Sequence, residues 1–231
     1  LHDFERLSSK EIFELFLNWL GFADDIIFVS SSRSEILEAF SLFIRICSSV
    51  GLEINFDKCG LMQMEWNNEP NPEEKFVLIG TQKVPIVTEY TYLGVLISNT
   101  GTFSTHVEER SRKALGVASS RIKNVESWVG NNSSVLLTQL NMAFGPCLGW
   151  GTDVITLTKE DGAVFDVAFF KYLRRVFKIK IDEKTKKWEK SNKELKQMSQ
   201  LKPPSETLPL ARIKFLFHTL SETTCYTPEA F

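Results

Sequence analysis

The chain has little that would staple it, anchor it or address it elsewhere. Its four cysteines (Cys47, Cys59, Cys147, Cys225) are scattered, with no C-x-x-C pair and no nearby histidine. Neither a zinc site nor a disulfide framework is indicated, so reduced thiols are the expectation. No apolar run approaches the ~20 residues that a membrane-spanning helix needs. The first residues lack the charged-then-apolar pattern of a secretory signal, and the expectation is a soluble, intracellular protein without membrane contact. There is no internal repeat, and no Cys/His knuckle follows the last helical segment. Net charge is also nearly absent, at −2, which alone gives no reason to expect a nucleic-acid partner. That average conceals an asymmetry: between Lys171 and Lys202 there are 12 Lys and Arg against 4 Asp and Glu. This local excess of +8 leaves −10 for everything else.

What is present is an ordinary globular composition. With 231 residues, 43% hydrophobic and 24% charged, the chain has room for one large domain or two small ones and for a real core. The most informative stretch is Leu20-Gly21-Phe22-Ala23-Asp24-Asp25-Ile26-Ile27-Phe28-Val29. Two short apolar runs of strand composition flank a pair of adjacent carboxylates, the pattern of a β-hairpin with acid at its tip. Two neighbouring carboxylates resist ionising together unless positive charge answers them. A hard divalent cation such as magnesium, which takes one or two carboxylates together with substrate phosphates, is the chemical complement. An ordinary Asp-Asp turn is the plainer alternative.

Residues 12–20 read as a helix leading into the hairpin. Beyond the hairpin, Ser32-Arg33-Ser34-Glu35 has the S-x-x-E form of a capping box. Ile36, Phe40, Phe43, Cys47 and Val50 then recur on one helical face, and Gly51 is the stop. Cys47 on that face reads as core. Residues 52–64 should give a strand and turn carrying Lys58, and residues 66–75 a polar loop. Residues 76–79 and 84–87 alternate as a hairpin around Gly80-Thr81-Gln82-Lys83, with Pro85 marking an edge. Residues 90–98 read as a further strand. The pattern then turns helical: 107–125, carrying Arg110, Arg112, Lys113, Arg121 and Lys123 with small Ala114, Gly116 and Ala118 on another face; 135–144, ended by Gly145-Pro146; 161–177; and, after a break at Lys202-Pro203-Pro204-Ser205, a last short helix over 210–220.

Three motifs in order carry a family resemblance. Phe22-Ala23-Asp24-Asp25 resembles the F/Y-A-D-D box of reverse transcriptases, most closely those of non-LTR (LINE-type) retrotransposons. Gly51-Leu52-Glu53-Ile54-Asn55-Phe56-Asp57-Lys58 resembles their G-L-x-x-N-x-x-K block, and Tyr90-Thr91-Tyr92-Leu93-Gly94-Val95 the block ending in Y-L-G. Further on, residues 148–158 are similar to the Y-G-x-x-x-W-x-L-T region with its tryptophan displaced, and residues 172–179 to the L-R-R-I-L-G-I segment of LINE-type thumbs. The sequence departs from the pattern at Cys59-Gly60, where Thr-Glu commonly follows the lysine. The family's Gln-Gly block has no match in residues 1–6, and its upstream catalytic aspartate would precede residue 1.

The resemblance implies an α+β architecture, with a partial polymerase palm (an antiparallel sheet with a packed helix) over residues 1–100. A mostly α-helical thumb with the basic stretch follows over 101–202, then a short helix and tail over 203–231. It implies two-metal nucleotidyl transfer with Mg²⁺ or Mn²⁺, an RNA template, a DNA primer and dNTP, and a nuclear or cytoplasmic ribonucleoprotein setting. Asp24 and Asp25 would be metal ligands, Asp24 the principal one. Lys58 would serve proton delivery or charge neutralisation at the leaving pyrophosphate, or else is a solvated lysine. Tyr92-Leu93-Gly94 would lie near the primer's 3′ end, or Tyr92 is simply half-buried sheet. Arg174, Arg175, Lys178 and Lys180, with Tyr172, Phe177 and Trp188 interleaved, would track a phosphate backbone, or form a solvated helix and linker. Without the fingers and the upstream aspartate the segment alone is expected to catalyse little. The alternative is a decayed retroelement product that at most binds nucleic acid. A chance acidic turn in an unrelated α+β protein is a third reading, against which the three ordered motifs speak.

Overall fold

The computed structural model describes residues 19–64, 74–130 and 132–223, so most of the helix expected over 12–20 and of the loop over 66–75 lies outside the described residues. The fold is mixed α and β, as expected. It divides into two compact units, Leu1–Leu93 with Ile97–Gly101, and Gly94–Leu96 with Thr102–Phe231. The described strands form three two-stranded pairs.

In the first unit, β1 (Trp19–Phe22) pairs antiparallel with β2 (Asp25–Phe28), with Phe22 opposite Asp25 and Trp19 opposite Phe28. Side chains alternate along β2, and Phe28 turns toward helix α1 (Arg33–Ser49), meeting Phe40 and Phe43 edge-on at centroid distances of 6.1 and 5.4 Å. The capping box is half formed. The Glu35 N–H donates to Ser32 Oγ at 3.5 Å, but the Glu35 carboxylate accepts from Ser30 Oγ instead of returning to the Ser32 backbone. Cys47 is buried as expected, and burial pushes its thiol pKa up. The helix closes at Gly51, whose φ of +78° lets the Leu52 N–H reach back to the Cys47 carbonyl at 2.8 Å. Val50 falls beyond the last turn and is exposed rather than on the apolar face.

Residues 52–64 differ from the expected strand. Lys58 ends a single 3₁₀ turn, Phe56–Lys58, and the extended pairing shrinks to a parallel bridge between Leu61 and Ile86. Strand β3 (Phe76–Ile79) pairs with β4 (Gln82–Pro85) through a two-residue Gly80-Thr81 link, tighter than the four-residue loop expected, because Gly80 takes a φ of +61°. Pro85 gives up no ladder donor: its carbonyl points outward and accepts from the Leu61 N–H at 2.9 Å. Val77, Ile79 and Val84 make a small core with Leu37, Phe40, Ile44, Phe56, Cys59 and Leu61. Residues 90–98 are not one strand but two, β5 (Glu89–Tyr92) and β6 (Val95–Ser98), folded at Leu93-Gly94 with φ of +48° and +81°. Two consecutive left-handed residues are what a tight two-residue hairpin of I′ type demands.

The second unit is helical. Helix α2 (Ser104–Val129) lies against α5 (Lys159–Val176). Ala114 and Ala118 sit on the packed face, whereas Gly116 is exposed, so only two of the three small residues serve the contact. Between them run α3 (Ser133–Gln139), a π-helical segment (Leu140–Phe144) and α4 (Gly145–Gly149). Gly145-Pro146 therefore does not end the helix. The wider π turn sits just before Pro146, which occupies the first turn of α4, where no backbone donor is needed.

Helix α5 starts at a capping box between Thr158 and Asp161. Asp161 also accepts from Ser104 Oγ at 3.1 Å, tying the starts of α2 and α5 together. Tyr172 is buried, stacks on Phe144 at 5.0 Å and donates its hydroxyl to the Leu136 carbonyl at 2.8 Å, and burial drives its pKa to about 12. Helix α6 (Asn192–Ser199) docks Leu195 into this core, and the helix that follows it, α7 (Pro204–Thr223), packs on α5. Helix α7 is far longer than the segment expected over 210–220. Pro204 starts it rather than blocking it, and Pro209 is accommodated inside it, with Ser205 held by Asp166 through its N–H (3.0 Å) and hydroxyl (2.7 Å).

Candidate functional site

In the first unit the chemistry gathers at the tip of the β1–β2 hairpin. Ala23 and Asp24 form the link and Asp25 opens β2. Ala23 holds a φ of +55°, a left-handed conformation that costs a residue with a Cβ roughly 1–2 kcal/mol. Backbone strain of this kind collects where geometry serves a purpose. Both aspartates are exposed, and among the described residues neither carboxylate has a hydrogen bond or ion pair. They are hard oxygen donors suited to a divalent cation. Among the described residues no group of three His, Cys, Asp or Glu could hold a metal ion.

Lys58 is exposed on its 3₁₀ turn. A residue that motif reading passed over, Tyr90, connects these parts. Its hydroxyl donates to the Lys58 carbonyl at 2.7 Å, and its phenol pKa is pushed up by burial first, then by the charges of Cys59 and Asp25. Gly60, one of the two departures from the family pattern, makes room for this: a Cβ there would lie 3.1 Å from Val87 and 3.4 Å from the Tyr90 ring. The signal for Tyr90 was present only as an aromatic next to the Y-L-G block. Nothing in its spacing tied it to Lys58.

In the second unit, Gly94 is held from the helical side. Arg110 Nη2 donates to the Gly94 carbonyl at 2.8 Å, and a Cβ on Gly94 would meet Trp150 Nε1 at 2.7 Å. Trp150, displaced in the motif, thus covers the Y-L-G glycine. His106, fully buried, accepts the Leu96 N–H at Nδ1 (3.1 Å), so its Nε2–H donates to the Trp150 carbonyl (3.1 Å). Tyr92 is half-buried and Leu93 is 40% exposed.

The basic stretch builds a groove of about 380 Å³ lined by Lys171, Arg174, Arg175, Lys178, Ile179, Lys180 and Trp188. All four cations singled out from sequence line it. Lys178 takes a φ of +54° as the chain leaves α5, which turns Lys180 back beside the helix end. Of the three interleaved aromatics, Tyr172 is core and Phe177 packs against it. Trp188 alone lines the groove, 45% exposed, with the Arg174 guanidinium 4.7 Å from its ring centroid.

Three of the stretch's four carboxylates are occupied locally, and Glu183 is exposed. Asp182 accepts from the N–H groups of Lys184 and Thr185, which hold its pKa down. Glu189 accepts from the Lys180 N–H, and Glu194 closes the α6 capping box and pairs with Lys190, its pKa held at about 2. Asp182, Glu189 and Glu194 thus stabilise backbone turns rather than neutralise the groove.

An α+β protein that exposes paired acid at a strained hairpin in one unit and a cationic groove in the other has the features of a nucleic-acid-handling class. Comparison with known proteins agrees. Residues 2–97, less than half of the chain, match the family described as Reverse transcriptase (RNA-dependent DNA polymerase). The chain is also 23% identical over 187 residues to a transposon-derived protein of Caenorhabditis elegans, covering 80% of this chain and 65% of that relative. No solved structure matches. The matched stretch is similar to a reverse transcriptase domain, a family that generally uses divalent metal, and the relative is described as transposon-derived.

Proposed function

We propose that the chain is a segment of an RNA-directed DNA polymerase of a LINE-type retrotransposon, its first unit belonging to the palm and its helical unit to the thumb. The observation that carries this reading is the exposed Asp24-Asp25 pair on a strained two-residue hairpin, inside the very residues that match the reverse transcriptase family. In the intact parent, Asp24 at the apex would be the principal ligand and Asp25 its weaker partner for Mg²⁺ or Mn²⁺. When bound, such ions would supply charge neutralisation for nucleotidyl transfer at the triphosphate. Lys58 faces the leaving pyrophosphate as proton donor or neutralising charge, and Tyr90 fixes the backbone that carries it. The Leu93-Gly94 turn approaches the primer terminus, and the cationic groove takes phosphates of the nucleic acid. Template RNA, primer DNA and dNTP are the proposed partners, in the nucleus or a cytoplasmic ribonucleoprotein.

A second reading, a non-catalytic nucleic-acid-binding product of a decayed element, rests on the cationic groove of the helical unit, which needs no metal. Primer extension with magnesium on the isolated chain separates the two. Extension that disappears in Asp24→Asn establishes catalysis by this segment. No extension, with nucleic-acid binding intact, leaves the second reading. The same chain joined to an upstream palm strand that carries an aspartate should gain activity if the first is right.

A further inference from the structure

The groove at the end of α5 differs from a generally basic surface by holding one accessible aromatic among its cations. Trp188 is fixed by the Ile181–Trp188 bridge and by the Arg174 guanidinium at 4.7 Å, and the 45% of it that remains exposed leaves ring surface for a second planar group. Arg174 is itself positioned by Asn192 Oδ1, while its buried Nε has no hydrogen-bond partner. Among the described residues no carboxylate pairs with Lys171 or Lys180, since Glu189 is spent on the Lys180 backbone. Arg175 is steadied by Ser119.

We propose that this groove is a single-strand site, in which one unpaired base stacks on Trp188 against Arg174 while Lys171, Arg175 and Lys180 take the adjoining phosphates. Duplex bases are already stacked and paired, so a duplex gains from the cations but has no free ring face to offer Trp188. An unpaired base has one whatever its identity. The inference deepens the nucleic-acid reading of the helical unit and rests on that reading alone, not on the acidic turn.

The test uses the full chain and labelled oligomers of equal length, oligo(U), oligo(dT) and a blunt duplex, with anisotropy read over a salt series. Single strands should bind more tightly than duplex. Trp188→Ala should weaken single-strand binding roughly five- to 150-fold, corresponding to the ~1–3 kcal/mol of a base–aromatic stack, while leaving the salt slope unchanged. Trp188→Phe, which keeps a stacking ring, should retain most of the affinity. Lys171→Gln and Lys180→Gln should each flatten the salt slope by about 0.7. Preference for oligo(U) over oligo(dT) assigns the site to RNA, and the reverse preference to single-stranded DNA. Duplex binding equal to single-strand binding, or Trp188→Ala and Trp188→Phe equally weak on both, overturns the single-strand site. Absence of binding to all three at low salt overturns the nucleic-acid reading of the unit with it, whereas loss of primer extension alone touches neither.

Discussion

The two units solve stability differently. The helical unit buries Phe144, Phe165, Tyr172, Leu173 and Leu195 almost completely in one contiguous core, whereas among the described residues the buried apolar side chains of the first unit are Cys47 and the small cluster of Val77, Ile79 and Val84 with half-buried neighbours. A core of large side chains tolerates an exposed cationic rim, because burial elsewhere offsets the cost of crowding like charges. A thin core spread over hairpins leaves its strand ends, including the acidic turn, dependent on local geometry. The polymerase chemistry proposed here falls on the unit with the smaller described core and the phosphate binding on the unit with the larger.

The largest expected effect tests that contrast. Phe165→Ala should cost the helical unit about 3–5 kcal/mol, seen as a shift of its denaturation midpoint. Ile79→Ala should fall at the low end of the ~2–5 kcal/mol typical of such truncations, because its smaller surroundings can relax. Equal costs would break the comparison. Next, Tyr172→Phe removes the donor to the buried Leu136 carbonyl and should cost about 1–3 kcal/mol, measured by chemical denaturation with the near-ultraviolet signal of the core as readout.

Acid should then single out the helical unit. His106 is held below its ordinary value of 6.5, first by burial, with Arg110 and Lys113 adding to the effect and the Trp150 carbonyl and Glu109 opposing it. A depressed histidine contributes stability that is present above its unfolded value and is lost as pH falls below it. Melting of this unit should therefore drop below about pH 6.5, and His106→Gln should flatten that dependence. The smallest effect sharpens the other side: Ala23→Gly relieves the left-handed residue and should change stability by less than about 1 kcal/mol, gained strain relief offsetting lost chain stiffness. It should also leave metal-dependent activity of an active assembly nearly intact, measured by primer extension.

Much of this was legible in the chain. The hairpin around Asp24-Asp25, the helix ending at Gly51, the hairpin over 76–85 and the long helices all follow from alternation, helical spacing and glycine placement. What misled were prolines and short polar turns. Pro146 and Pro204 read as stops because position within a helix turn, which decides whether a missing N–H matters, is invisible until the helix is registered. Tyr172 read as a groove aromatic because its neighbours are basic, yet the helical face it occupies points to Phe144. Tyr90 was overlooked because its partner is a main-chain carbonyl 32 residues away.

The chain by itself determined local matters: where charge accumulates, which faces are apolar, and where two acids meet a turn, all fixed by neighbours within a few residues. Only the tertiary structure decided which carboxylates in the basic stretch are consumed by backbone N–H groups, which aromatic remains open to solvent, and which side chain braces Lys58. Those outcomes depend on contacts between residues far apart in sequence, and on competition among several equally suitable partners that only packing resolves.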